Sequence, residues 1–237
     1  MTTLAKFATT ASTKVSDKYS FASTAQIHEV LADYGFFESR YRQRATGGGF
    51  QRHISILNRA QDADTEGAFN LLLLNSHDGT SSVRLEAGYF RILCENQIGA
   101  GQVGVRIRHS GDVLSKIELA IPSVLNQMDN LRQLRELLLS QTLSYDQCVQ
   151  LVQRALQLRD VPVSDLNVVS MGRARRFEGE TSAWTQFNVI QENTVRGGVY
   201  VENNAGKLRR LRPIGEAGRL VQVNNDLTAT VRELLAA

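Results

Sequence analysis

Phe69-Asn70-Leu71-Leu72-Leu73-Leu74-Asn75 is a seven-residue apolar run closed at its end by asparagine, and the tight-turn pair Asp78-Gly79 follows it. A short continuous apolar run bounded by turn residues reads as a strand buried on both faces. Ser82–Cys94 then returns as a longer strand, so the two form a hairpin. Upstream, Phe36–Thr46 alternates Phe37 and Tyr41 with Arg40, Arg42 and Arg44, and Phe50–Arg59 alternates through His53, Ile54, Ile56 and Asn58. Gly47-Gly48-Gly49 makes the turn between them. Downstream of Gly99-Ala100-Gly101, Val103–His109 alternates Val103, Val105 and Ile107 with Arg106 and Arg108. These segments predict about five strands in a curved, mainly antiparallel sheet.

Helices flank the strands. Ser23 or Thr24 caps a helix to about Tyr34, ended by Gly35. Val113, Ile117, Ile121, Leu125, Met128, Leu131, Leu134 and Leu138 recur at helical steps, and Pro122 either kinks that run or starts a second helix. Ser144 with Gln147 forms a capping box for a helix to about Leu158. Another helix spans about Ser182 to Val195, with Trp184 and Phe187 inward and Gly197-Gly198 as its stop. Val199–Leu211 reads as a hairpin turning at Asn203–Gly206, and a helix over about Asp226–Ala236 closes the chain. The expected fold is therefore α+β, with the sheet and a C-terminal hairpin packed against long helices. Residues 1–20, rich in Ser and Thr, are expected to be a flexible tail, and residues 21–237 a single domain.

Composition narrows the function. The chain has 237 residues, 42% of them hydrophobic, enough to bury a core, and its net charge is only +3. Its cations are 22 arginines and 5 lysines. Arginine forks bind phosphate bidentately and stack on bases, although surface salt bridges use them too. Cys94 and Cys148 sit in apolar runs and fit free thiols in a reducing compartment. No apolar run approaches the roughly 18 residues of a membrane span, and the N-terminus carries no signal-peptide core, so a cytoplasmic protein that makes no membrane contact is expected. His28, His53, His77 and His109 lie at no zinc spacing, and neither a phosphate-binding glycine loop nor a nucleophile elbow is present, so no metal or cofactor is expected. Ser76-His77-Asp78 holds three triad residue types, but neighbours on one tight turn cannot converge as a triad needs. No catalytic residue is assigned, and an enzyme is the lesser expectation.

Four blocks carry a family resemblance: Leu71–Arg84, Arg91–Asn96, Arg106–Gly111 and Thr181–Glu192. In this order they resemble the signature of a phage and plasmid family called domain of unknown function 932, over roughly residues 20–220. The third block usually reads threonine where Ser110 stands. The resemblance implies a mobile-element setting, hence the host cytoplasm if phage-encoded. It marks Asn75, His77, Asp78, Arg91, Asn96, Arg108, His109, Trp184, Asn188 and Glu192 as motif positions, and it implies no mechanism. The polar set Asn75, His77, Asp78, Asn96, His109, Asn188 and Glu192 is either a bonded internal network or a ligand surface.

The leading expectation is a DNA-binding protein that prefers single strands, forms a homo-oligomer and serves annealing, recombination or replication. Sheet followed by long helix is also similar to the layout of single-strand annealing proteins, an analogy of fold alone. The expected phosphate contacts are Arg40, Arg42, Arg44, Arg52, Arg84, Arg91, Arg106, Arg108, Arg173, Arg175, Arg176, Lys207, Arg209 and Arg210. Tyr41, Phe50 and Phe177 lie among them as candidate stacking rings. The alternative is a protein-binding module that inhibits a host enzyme or defence system.

Overall fold

In a computed structural model the described residues are 4–43, 48–63, 67–91, 96–99, 104–176 and 181–236. They form an α+β fold in two compact units. One comprises Met1–Phe90 and Val103–Asp129, the other Arg91–Gln102 and Asn130–Ala237.

The first unit is built on antiparallel strands β1 (Phe37–Gln43), β2 (His53–Ala63), β3 (Gly67–Asn75) and β4 (Val83–Arg91), hydrogen-bonded in that order. The apolar run in β3 is buried along its whole length, as expected of a central strand. Its register against β2 sets Leu71 opposite Leu57, Leu73 opposite Ser55 and Asn75 opposite His53. That last pair places two polar motif side chains at one end of the sheet. Helix α1 (Thr24–Ala32) starts at a capping box in which Ser23 and Gln26 satisfy each other's backbone amides. Residues 4–22 also belong to this unit: the Ala5 amide donates to Gln43 Oε1 (2.8 Å), and Lys6 pairs with Glu38 on β1.

The strand β5 (Asn96–Gly99) falls in the second unit, beside the helices over Ala183–Arg196 and Ala217–Ala236, and was not read from the sequence. β6 (Val105–Ile107) pairs antiparallel with the start of β4 and sets Arg84 opposite Arg106. Just before it, a Cβ on Gly104 would stand 2.0 Å from Glu86 Cγ and 2.5 Å from the Leu85 carbonyl, so only glycine fits there.

Helix α2 (Val113–Ser140) runs unbroken through Pro122. Pro122 is exposed, so the carbonyl it leaves without a helical donor faces solvent. α2 buries Ile117, Ile121, Val124 and Met128 in the first unit and Leu131, Leu134 and Leu138 in the second.

Helices α3 (Tyr145–Leu158), α4 (Asp165–Gly172), α5 (Ala183–Arg196) and α6 (Ala217–Ala236) make up most of the second unit, with a hairpin of β7 (Tyr200–Glu202) and β8 (Leu208–Arg210). The Ser144–Gln147 capping box forms as read. α4 and the first half of α6 were not read. α4 is two turns long and carries Val168-Val169, which favour strands; Gly218 in the first turn of α6 masks its start. Trp184 and Phe187 are core residues, each 1% exposed.

Two substitutions test this reading. Ser144→Ala should cost about 1 kcal/mol of stability through the lost cap. Gly104→Ala should cost more, about 1–3 kcal/mol, because it drives a methyl into Glu86 and the β4 backbone. Urea unfolding curves measure both, and a neutral Gly104→Ala would contradict the close approach.

Candidate functional site

At the end of the sheet in the first unit, four wholly buried polar side chains meet: Thr24, His53, Asn75 and His77, with His109 almost buried beside them. His53 Nδ1 lies 3.0 Å from the Gln51 carbonyl, which can only accept, so that nitrogen carries the proton. His53 Nε2 therefore accepts from the Thr24 hydroxyl at 2.8 Å. Thr24 Oγ1 in turn accepts from Asn75 Nδ2 at 3.3 Å and from His77 Nε2 at 3.2 Å. Asn75 Oδ1 takes the Ser76 amide at 2.8 Å and His109 Nε2 at 3.0 Å.

Residues 12–21 close over this network. Tyr19 stacks on His109 at 4.5 Å and donates its hydroxyl to the Ser76 carbonyl, while Phe21 packs 5.1 Å from His77. The Ser12 amide donates to the His77 carbonyl (2.8 Å) and the Ser20 amide to the His109 carbonyl (2.9 Å). Thr24–His53–Gln51 has the order of a nucleophile, a base and an orienting acceptor. Thr24 has zero exposure, however, so no substrate reaches it in this state. The cluster acts as a sealed structural network. Asp78 outside it caps its own turn, accepting from the Thr80 amide and hydroxyl.

Burial sets the charge of these histidines. It holds His53 and His109 below the ordinary histidine value. His77 falls from 6.5 to about 4, through burial first and then the neighbouring His53 and His109, against weaker opposition from the Ala5 carbonyl and Asp78. Tyr19 is pushed up to about 12 by burial and by Asp78.

In the second unit, Glu192 is 3% exposed and is shared by Arg176 (2.8 Å) and Arg196 (3.2 Å). Asn188 Nδ2 bonds the Trp184 carbonyl one turn back (2.8 Å). Both motif positions thus serve internal bonding.

The same unit crowds arginines around Gly197-Gly198, where α5 ends and the hairpin begins. Arg159 donates to the carbonyls of Thr194 and Arg212, and Arg219 to that of Leu158. Arg175 donates to Asn193 Oδ1 (2.8 Å) and to the Gly197 carbonyl. Burial lowers the Arg159 pKa, and the charges of Arg209 and Arg219 lower it further, partly opposed by Asp160. Burial does the same for Arg175, partly opposed by Glu192 and reinforced by Arg196, Arg176 and Arg210. Lys207, Arg209 and Arg210 are exposed on the hairpin, and Arg173 is exposed after α4. The two expected stretches of this unit therefore meet, with Arg175 and Arg210 at the join. Arg159, Arg196 and Arg219 were not singled out in the sequence, because none has another cation within two positions.

The remaining expected contacts belong to the first unit. Arg42, Arg106 and Arg108 are exposed there. Arg52 is bound to the Thr80 carbonyl and Arg84 to Glu86 (2.9 Å), while Arg40 is half-buried and bonded. Arg44, Cys94 and Phe177, and the side chains of Arg91 and Asn96, lie outside the described residues. Between α3, α4 and α5 the second unit also holds a mainly apolar cavity of about 710 Å³. Among the described residues no group of histidine, cysteine and carboxylate side chains could hold a metal, and no helix is long and apolar enough to cross a membrane.

Together these features define an α+β protein with a sealed histidine network in one unit and a crowded arginine surface in the other. The chain belongs to the family described as Domain of unknown function (DUF932), whose profile matches residues 12–221. It is similar to UPF0380 protein YafZ and UPF0380 protein YfjQ of Escherichia coli (strain K12). Each is 29% identical over 231 residues, covering 93% of this chain and 84% of the relative. No solved structure matches.

The histidine network makes stability depend on pH. Unfolded histidines titrate near 6.5 and take up protons that the folded cluster refuses, so acid favours unfolding. Stability should be full above pH 6.5 and fall as the pH drops towards about 4. In urea midpoints measured between pH 6.5 and 5, above the carboxylate range, His77→Gln should flatten the slope. An unchanged slope would show that His77 is already charged when folded.

Proposed function

We propose that this protein binds single-stranded DNA through the arginine surface of its second unit and works as a homo-oligomer that repeats the surface along a strand. The observation that carries this reading is the crowding of Arg159, Arg175, Arg209, Arg210 and Arg219. Burial lowers the pKa of Arg159 and Arg175, and the neighbouring positive charges of Arg209 and Arg219 on the first and Arg196, Arg176 and Arg210 on the second lower it further. Such crowding costs free energy in the unbound protein, and a polyanion relieves it. The buried carboxylate Glu192 is already shared by Arg176 and Arg196. Annealing, recombination and replication all need such binding.

A protein-binding role is the second reading. Tyr145 and Val169, 80% and 70% exposed beside the apolar cavity, favour it.

Affinity for a 20-nucleotide single strand, measured by fluorescence anisotropy across salt, separates the two. Each phosphate contact contributes about 0.7 to the slope of log affinity against log salt on a single strand. Arg209→Ala with Arg210→Ala should lower that slope by about 1.4 and leave the circular dichroism unchanged. Absence of binding at low salt, with a stoichiometric complex to a host protein instead, would replace this reading with the second.

A further inference from the structure

We infer that the β7–β8 hairpin is a nucleotide cradle, in which Tyr200 stacks a base and Arg175 with Arg210 clamps the adjoining phosphate. This rests on the proposed binding of single-stranded DNA and names the part of the surface that reads the strand as single.

The hairpin alternates. Val201 is wholly buried, and buried Asn167 of α4 fixes its backbone by accepting the Glu202 amide (2.7 Å) and donating to the Glu202 carbonyl (2.9 Å). Tyr200 must then face the other way, and it is 61% exposed. Its direct cross-strand partner is Arg210, also exposed, and directly opposed side chains share a face about 5 Å apart. An aromatic ring left in water beside a cation, on a hairpin held rigid from behind, is what base stacking needs.

The phosphate position is set by glycine. A Cβ on Gly198 would lie 3.6 Å from Arg175 Nη1 and 3.8 Å from Arg210 Nη2, so both guanidinium groups approach one point above a residue that has no side chain. Arg175 is aimed there by its bonds to Asn193 and to the Gly197 carbonyl. The Arg210 side chain makes no hydrogen bond or ion pair among the described residues. Glu192 is engaged elsewhere, and the Glu202 carboxylate lies towards Gly206 at the turn of the hairpin. Two converging guanidinium groups, with no carboxylate between them among the described residues, form a fork for a phosphate.

The test uses the full chain and three 20-mers: oligothymidylate, an abasic single strand and a duplex. Tyr200→Ala should weaken oligothymidylate binding about tenfold, the worth of one stacked base, and leave abasic-strand binding unchanged. Arg210→Ala should weaken both. Tyr200→Trp should keep the affinity, and its emission should be quenched by oligothymidylate but not by the abasic strand; buried Trp184 supplies a constant background. If Arg210→Ala weakens oligothymidylate binding while Tyr200→Ala does not, or if Tyr200→Trp is not quenched, the cradle is wrong although the protein binds DNA. If the wild-type chain binds none of the three at low salt, the proposed function itself fails.

Discussion

A polar group taken out of water must find a partner, and the first unit is organised around that demand at Thr24. One hydroxyl donates to His53 and accepts from Asn75 and His77. Losing any one partner would leave others buried and unpaired, at about 1–3 kcal/mol each. The hydroxyl therefore fixes the first turn of α1 against the ends of β2 and β3. Asn75 passes the constraint on to His109, beyond β6. A sheet end that could have been a ligand surface becomes an internal joint, and residues 12–21 serve as its outer wall.

The second unit treats charge in the opposite way. Glu192 is buried and fully matched by two arginines, which secures α5. The guanidinium groups of Arg159, Arg175 and Arg219 each bond one backbone carbonyl at a helix end. Those carbonyls carry the negative end of the helix dipole and only partly offset a full positive charge. Net positive potential is left where the exposed hairpin arginines stand. The same residue type thus holds the structure at one edge of the cluster and stands exposed at the other.

What the sequence disclosed follows the range of the interactions involved. Leu71–Leu74, Asp78-Gly79 and the Ser144–Gln147 box were legible because each is decided within a few residues. The role of Thr24 was not. Its partners lie 29, 51 and 53 positions away, and in sequence it reads as one more capping residue. The polar motif positions pointed to the right neighbourhood but could not say whether it was open or sealed. Tyr200 was missed because a three-residue strand is too short for alternation to register. Arg175 and Arg210 were singled out, but their meeting at Gly198 depends on a hairpin returning to the end of a helix.

The outer wall of the histidine network also bears on how the chain is made. Residues 12–21 are synthesised before the groups they cover, which belong to residues 76, 77 and 109. The wall has nothing to close on until β3 has paired and the segment after β6 has emerged. A segment made earlier thus completes its contacts only with groups made later, up to residue 109.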